Sequence, residues 1–183
     1  MKKRFVLRFV LLAASAALTG CAWMVNWMAA EPPAPVVHPM QGLRTIRVTA
    51  ANRTASPRLA PAALEAGLVR TLNVYAQGVR FVPAGEAADG VLAVVVLEER
   101  GARTRTDPQA DTEGWKFLIR YSASLTDADG RVIWQGARMT AKLEMDWTGY
   151  RRAGGVPGWT PEILNELTQM MGSGLAEDLA KVK

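Results

Sequence analysis

The chain has few of the side chains on which catalysis at neutral pH usually depends. Its 183 residues include one cysteine and one histidine, Cys21 and His38. This excludes an internal disulfide and a zinc site built from these two residue types. A P-loop is also absent, because Gly154-Gly155 is not followed by Lys-Ser or Lys-Thr. We therefore expect no enzyme activity, no metal and no cofactor.

Paired carboxylates are the remaining route to chemistry. Adjacent carboxylates on a strand point to opposite faces of the sheet, so they cannot act together. A pair of carboxylates within a turn is explained by the turn itself. Only two carboxylates that stand two residues apart on one strand can act together. Glu144 and Asp146 meet that condition and remain the candidates for a cation site or a carboxylate hydrolase. The three pairs are Glu98-Glu99, Asp127/Asp129 and Glu144/Asp146.

The net charge of the full chain overstates that of the mature protein if the N-terminal segment is removed. A net charge of +5 favours nucleic acid or an anionic membrane as partner. Four basic residues, however, precede the first acidic residue, Glu31: Lys2, Lys3, Arg4 and Arg8. Without them 18 basic side chains face 17 acidic ones, so nucleic acid is not an expected partner.

Residues 1–20 have the layout of a secretory signal peptide, with a basic start and an apolar run that is too short to cross a bilayer. Leu18-Thr19-Gly20-Cys21 is similar to the lipobox of bacterial lipoproteins. The resemblance implies cleavage before Cys21 and acylation of its thiol, and several acyl chains anchor a protein stably. Ala22, in place of Asp, implies export to the outer membrane with the domain facing the periplasm.

Residues 21–42 are expected to form the lipidated anchor and a tether. Trp23 and Trp27 stand four residues apart, and either membrane headgroups or the folded domain could receive their indoles. The proline-rich residues 31–39 favour a semi-rigid extended spacer in which His38 is solvated.

Residues 43–183 are predicted to form a single domain of the α+β class. Alternating or continuous apolar patterns predict strands at 43–50, 79–82, 90–103, 115–126 and 131–147, with a polar connection at 107–114 and a hairpin turn at 127–130. Apolar stripes following Pro61 and Pro161 predict two helices, the second capped by Thr160 and kinked at Gly172 and Gly174. The order β-α-β-β-β-β-α predicts a mostly antiparallel sheet of four to five strands with both helices packed on it.

Charge is distributed unevenly along this domain. The arginines cluster early, whereas the acidic residues cluster in the C-terminal third. Arginine matches phosphate and carboxylate with a planar fork, so these side chains are candidate ligands for a phosphorylated glycolipid. The alternative is that they are solvated surface charges paired with the acidic third. The candidate ligand-binding residues are Arg44, Arg47, Arg53, Arg58, Arg70 and Arg80.

Several short motifs resemble those of one lipoprotein family. They are the lipobox, Ala51-Asn-Arg-Thr54 after the first strand, the Leu64-x3-Leu68-x3-Leu72 helix, Ala87-Ala-Asp-Gly-Val-Leu92 and Asp129-Gly-Arg-Val-Ile-Trp134. Over residues 43–145 the chain resembles the lipopolysaccharide-assembly lipoprotein (LptE) family. The resemblance implies two helices on a four-stranded sheet, lipopolysaccharide binding and insertion into the LptD barrel. The chain departs from the family pattern directly after the cysteine. Members of the family often have a glycine and an aromatic residue there, whereas this chain has Ala22-Trp23.

The leading hypothesis is therefore a non-catalytic outer-membrane lipoprotein that assists lipopolysaccharide assembly. Its partners would be an outer-membrane barrel or other envelope protein, lipopolysaccharide, and the membrane through the lipid anchor. The alternative is an adaptor lipoprotein of a transporter, secretion pore or peptidoglycan synthase that binds protein only.

Overall fold

The computed structural model divides the chain into two compact units, Met1–Ala34 and Pro35–Lys183. Only the second unit contains residues whose structure is described. The predicted signal peptide, Cys21, Trp23 and Trp27 therefore lie outside the described residues. The structure describes residues 35–38, 40, 42–107, 109, 112–148 and 158–182.

The order of elements and the fold class are confirmed. Five strands form one mixed sheet in the order β2-β1-β3-β4-β5. The strand β1 runs parallel to β2 and β3, while the long pairs β3–β4 and β4–β5 are antiparallel. The elements in chain order are β1 (Thr45–Asn52), α1 (Pro61–Tyr75), β2 (Arg80–Val82), β3 (Gly90–Asp107), β4 (Thr112–Asp127), β5 (Val132–Thr148) and α2 (Pro161–Leu179).

The alternation along β4 decides which face of the sheet is covered. Every second side chain from Trp115 to Leu125 is apolar and buried, whereas the intervening ones, Leu118 included, are half-buried or exposed. Burying one face in this way fixes the register, because a slip of one residue would turn the whole apolar set to solvent. The buried set is Trp115, Phe117, Ile119, Tyr121, Ala123 and Leu125.

The hairpin of β3 and β4 is longer than predicted. In the expected polar connection at 107–114, residues 107 and 112–114 are strand, and pairing continues to Asp107 and Thr112. Sequence alternation is weak here because charged residues occupy both faces of this end of the sheet. The predicted boundary therefore stopped at the last apolar residue rather than at the last hydrogen-bonded one.

The two helices approach each other closely and run in the same direction. A Cβ atom on Gly67 of α1 would lie 2.5 Å from the Thr168 Cγ2 atom, and one on Gly172 of α2 would lie 2.6 Å from the Thr71 Cγ2 atom. The predicted kink at Gly172 and Gly174 is wrong, since α2 is continuous through both. Tertiary packing outweighs the low helix propensity of glycine at this crossing.

The start of α2 follows the sequence prediction. Thr160 lies at the N-cap, and its Oγ1 atom accepts a hydrogen bond from the Ile163 backbone N–H at 3.4 Å. Pro161 occupies the first turn, where its missing N–H costs nothing. Within the part of the chain that the structure describes, no helix is both long and apolar enough to cross a membrane.

The core lies between the helices and the covered sheet face. Leu64, Leu68 and Leu72 of α1 are fully buried, as are the apolar residues of α2 that face them. Tyr121 extends from β4 into this core and donates its hydroxyl to the Met171 carbonyl at 3.4 Å. Burial raises the pKa of Tyr121 to about 12, so its hydroxyl stays protonated and remains a donor.

The folded unit begins at Pro35, whereas the sequence prediction placed the tether as far as residue 42. Val37 and Met40 are buried in the core. The Val37 N–H donates to the Tyr75 carbonyl, and the Gln77 N–H donates to the Val37 carbonyl, both at 2.8 Å. His38 is exposed, as expected. The proline-rich composition gave no sign that Val37 and Met40 are buried, or that Val37 bonds to the end of α1.

The loop before β3 is attached to the start of β1 by a single carboxylate. The Asp89 Oδ2 atom accepts the backbone N–H groups of Arg44 and Thr45, each at 2.9 Å. These hydrogen bonds hold the pKa of Asp89 below its ordinary value of 3.8. The folded state is therefore more stable when the Asp89 carboxylate is charged than when it is protonated.

Replacing Gly172 with alanine should destabilise the fold, because the new methyl group meets Thr71 and forces the helices apart. We expect a loss of about 1–3 kcal/mol in the free energy of unfolding. Gly174 is the matched control in the same helix. A Cβ atom there would meet only the Tyr121 Oη atom at 3.5 Å, so alanine should stabilise the helix by up to about 1 kcal/mol. Urea unfolding measures both, and equal effects would contradict the close crossing.

Replacing Asp89 with asparagine should lower stability at neutral pH and have little effect at strongly acidic pH. Because the folded pKa is depressed, the stabilisation is complete above the unfolded value and disappears as the pH falls through the lower folded value. Melting temperatures recorded across that range test this, with the exposed Asp129→Asn as control. A pH-independent difference between Asp89→Asn and wild type would contradict it.

Candidate functional site

The site forms where β1 stops and β3 continues. The last pair of these strands is Asn52 with Val96, whereas β3 extends to Asp107. No strand among the described residues pairs with β3 on this side beyond Val96. The chain instead leaves β1 as a loop, residues 53–59, whose first N–H, from Arg53, donates to the Val96 carbonyl at 3.0 Å.

Two side chains fix the shape of this loop. The Asn52 Oδ1 atom accepts the N–H of Thr54 at 3.1 Å and its hydroxyl at 2.8 Å, which is an Asx turn. The Glu99 Oε2 atom accepts the N–H of Arg58 at 2.6 Å, while Oε1 accepts the N–H of Leu59 at 2.9 Å and the Asn52 amide at 2.8 Å. Leu59 then enters the core. The loop is therefore held at both ends.

A groove of about 560 Å³ lies between this loop and β3. The loop supplies Arg53 and Arg58, and β3 supplies Arg100. Trp159 forms an apolar wall, and its ring packs edge-on against Phe117 with the centroids 5.2 Å apart. The remaining lining includes Thr54 and Ser56, whose hydroxyl groups are further hydrogen-bonding groups.

The groove carries an excess of positive charge. Among the described residues the guanidinium groups of Arg53, Arg58 and Arg100 take part in no ion pair. Of the two carboxylates in the lining, Glu98 pairs with Arg120 at 2.8 Å and Glu99 is occupied by the loop. Counting the paired Glu98 as neutral, three cations against Glu99 leave a net charge of +2. This arrangement can bind a dianion.

The structure divides the six candidate arginines among several places. Arg53 and Arg58 line the groove. Arg44 and Arg80 lie at the beginning of β1 and β2, where Arg80 pairs with Glu86 at 3.1 Å. Arg47 is half-buried on β1, and Arg70 is exposed on α1. Clustering along the sequence did not produce one patch, because the helix and the strands carry these residues in different directions.

The sequence prediction missed three side chains that line the groove. Arg100 was not among the candidates, although it follows Glu98-Glu99 on β3, and neither Glu99 nor Trp159 was assigned a role. The available signal was the difference in length between the predicted strands at 43–50 and 90–103. That difference places residues near 100 beside the loop that follows the first strand. Trp159 gives no comparable signal, since only the tertiary fold brings it to Phe117.

Glu144 and Asp146 line one cavity, and each forms ion pairs with basic side chains. Glu144 pairs with Lys142 at 2.6 Å and with Lys116 at 3.9 Å, and Asp146 pairs with Arg105 at 2.6 Å. The hydrogen bond from Lys142 and its charge hold the pKa of Glu144 below 4.5. Within the described part of the chain, no group of three or more His, Cys, Asp and Glu residues could hold a metal ion.

No protein-family model and no curated protein matches the chain. Solved structures with a similar fold include the uncharacterized lipoprotein B of Nitrosomonas europaea, with 12% identity, a TM-score of 0.47 and coverage of 83% of this chain and 90% of that one. A minor lipoprotein of Acinetobacter baumannii has 10% identity, a TM-score of 0.41 and coverage of 75% and 90%. The PelC dodecamer of Paraburkholderia phytofirmans has 20% identity, a TM-score of 0.39 and coverage of 79% and 93%.

The first two of these structures are bacterial lipoproteins by name, which is the class that Leu18-Thr19-Gly20-Cys21 predicts. All three TM-scores are below 0.5. The likeness therefore carries no ligand, partner or activity over to this chain.

Replacing Glu99 with glutamine should loosen the loop without changing the size of the side chain. An amide can offer only one acceptor oxygen, so its NH₂ group would face either the Arg58 N–H or the Leu59 N–H. We expect a loss of about 1–3 kcal/mol in the free energy of unfolding and faster hydrogen exchange at both amides. Glu86→Gln, in the exposed pair with Arg80, is the control and should cost under about 1 kcal/mol. Equal costs for the two variants would contradict the role of Glu99.

Proposed function

We propose that the chain is a non-catalytic outer-membrane lipoprotein that binds phosphate groups of lipopolysaccharide in this groove and assists lipopolysaccharide assembly beside a barrel partner. The observation that carries the proposal is a set of three guanidinium groups around one groove that form no ion pair with the described residues. Binding of this kind needs no nucleophile, metal or cofactor. The chain would act by holding its ligand at the site of assembly.

The chemistry of the groove suits a phosphate monoester. Such a group carries a charge of about −1.5 to −2 near pH 7, close to the opposite of the groove's net charge. Arginine forks donate two parallel hydrogen bonds to phosphate oxygens, and these charge-assisted bonds are about twice as strong as neutral ones. Trp159 adds an apolar surface beside the charged one. An amphiphile with a phosphorylated headgroup has both kinds of group.

The predicted lipid anchor is consistent with a membrane-derived ligand. A protein acylated at Cys21 is confined to the membrane surface, and confinement raises the effective concentration of any ligand in the same membrane. A modest intrinsic affinity then suffices for binding. The family resemblance at Ala51-Asn-Arg-Thr54 supports the same proposal, because those residues begin the loop that carries Arg53.

Replacing both Arg53 and Arg100 with glutamine should weaken lipopolysaccharide binding by the full chain in detergent micelles. We expect a loss of at least about tenfold, because two charge-assisted contacts are removed together. The double variant Arg44→Gln with Arg70→Gln changes the net charge equally outside the groove and should bind nearly as wild type does. Fluorescence titration with intact and with dephosphorylated lipopolysaccharide measures the affinity.

Three outcomes would count against this proposal. Equal losses in both double variants would mean that binding follows the overall charge rather than the groove. Normal surface display of lipopolysaccharide in cells depleted of the protein would remove the assembly role. Stable crosslinks to an envelope protein, with no lipopolysaccharide binding, would favour an adaptor lipoprotein of a transporter, secretion pore or peptidoglycan synthase.

A further inference from the structure

A second charged cavity lies on the face of the sheet that the helices leave open. Its volume is about 590 Å³, and its lining comprises Leu97, Glu98, Arg120 and Arg138. Leu97 and Glu98 also line the groove described above, so the two cavities are neighbours. Arg120 and Arg138, in contrast, belong to the second cavity and come from β4 and β5.

Two irregularities in strand pairing meet at this cavity. The pairing of β3 with β4 shifts between Val96 and Glu98, and the pairing of β4 with β5 shifts between Tyr121 and Ala123. Both shifts flank the same short stretch of β4. Bulges commonly re-aim a side chain or lie beside a functional site, and these two meet at Tyr121, the neighbour of Arg120.

Arg138 adopts a backbone conformation that arginine rarely accepts. Its φ angle is 57°, and among the described residues it is the only non-glycine residue with a positive φ. Glycine, asparagine and aspartate are the usual residues at such a position, and other side chains there are strained. Strain of this kind persists where it has a use, and it clusters at binding sites. The exposed guanidinium group is the feature that a glycine would lack.

The charge of the cavity matches one carboxylate. Arg120 and Glu98 form a pair at 2.8 Å and neutralise each other. Arg138 takes part in no ion pair among the described residues, so the described residues of the lining carry a net charge of +1. A phosphate dianion would exceed this charge, whereas a single carboxylate would balance it and could occupy an arginine fork bidentately.

We propose that Arg138, beside the Arg120–Glu98 pair, binds the carboxylate of an acidic side chain on a protein partner. The surroundings favour a protein surface. Leu97 is 46% exposed at the rim, and the neighbouring part of the open face carries the small, half-buried side chains of Ala93, Ser122 and Ser124. Small side chains let a partner's backbone approach closely, and arginine is enriched at protein interfaces. The site does not depend on phosphate binding in the groove.

The test titrates the full chain in detergent micelles with a blocked peptide, acetyl-Ala-Glu-Ala-amide, while NMR follows the amides around Arg138 and Arg120. We expect saturable shifts with this peptide and none with its glutamine counterpart. Arg138→Gly should bind about tenfold more weakly, since the fork is lost, while melting no lower than wild type, because glycine adopts this φ without strain. Arg138→Gln should lose binding equally and retain the wild-type melting temperature.

The groove double variant, with Arg53 and Arg100 replaced by glutamine, should leave this titration unchanged. Failure of this site and failure of the proposed phosphate groove are therefore distinguishable. Equal shifts with the glutamate and glutamine peptides, or wild-type binding by Arg138→Gly, would overturn the proposal. A lower melting temperature for Arg138→Gly would also overturn it, because the conformation would then serve the fold rather than a ligand.

Discussion

The structure depends on a shortage of hydrogen-bond partners along β3. This strand extends from Gly90 to Asp107, but β1 accompanies it only as far as Val96. The loop that follows β1 and the groove beside it both result from this difference in strand length. The chain must leave the sheet at Asn52, and a carboxylate from β3, Glu99, binds the departing backbone. A loop held in this way presents arginine side chains without using their guanidinium groups for its own stability.

The arginines of the fold therefore fall into two kinds. Some are partners of nearby carboxylates, as Arg103 is of the buried Glu113 and Arg131 is of Asp127. Others, at the loop and at the β5 bulge, form no ion pair among the described residues. The first kind stabilises the ends of the hairpins, where exposed pairs contribute little and the buried Glu113 contributes more because its charge would otherwise be unpaired. Counting arginines along the chain cannot separate the two kinds.

The sequence specified most of the fold and only part of the site. Alternation in β4 and the apolar stripe of α1 are local patterns, so they predicted the covered face and the first helix. The continuity of α2 through Gly172 depends on Thr71 of another helix, which no local pattern contains. The prolines around Val37 and Met40 hid their burial, and Val37 bonds to the end of α1, which is distant in sequence. Arg53 and Arg58 were found because they lie close together in sequence, whereas Arg100 required the strand pairing.

The anchoring of Val37 also limits how far the domain can operate from a membrane. If the chain is acylated at Cys21, about sixteen residues separate the lipid from the first buried side chain, and they span at most about 55 Å when fully extended. A tether that ended at residue 43 would reach about 75 Å on the same basis. The attachment of Val37 to the end of α1 thus shortens the maximum length of the tether by roughly a quarter. If Cys21 is acylated, the first buried residue of the domain can therefore lie no farther than about 55 Å from the lipid anchor.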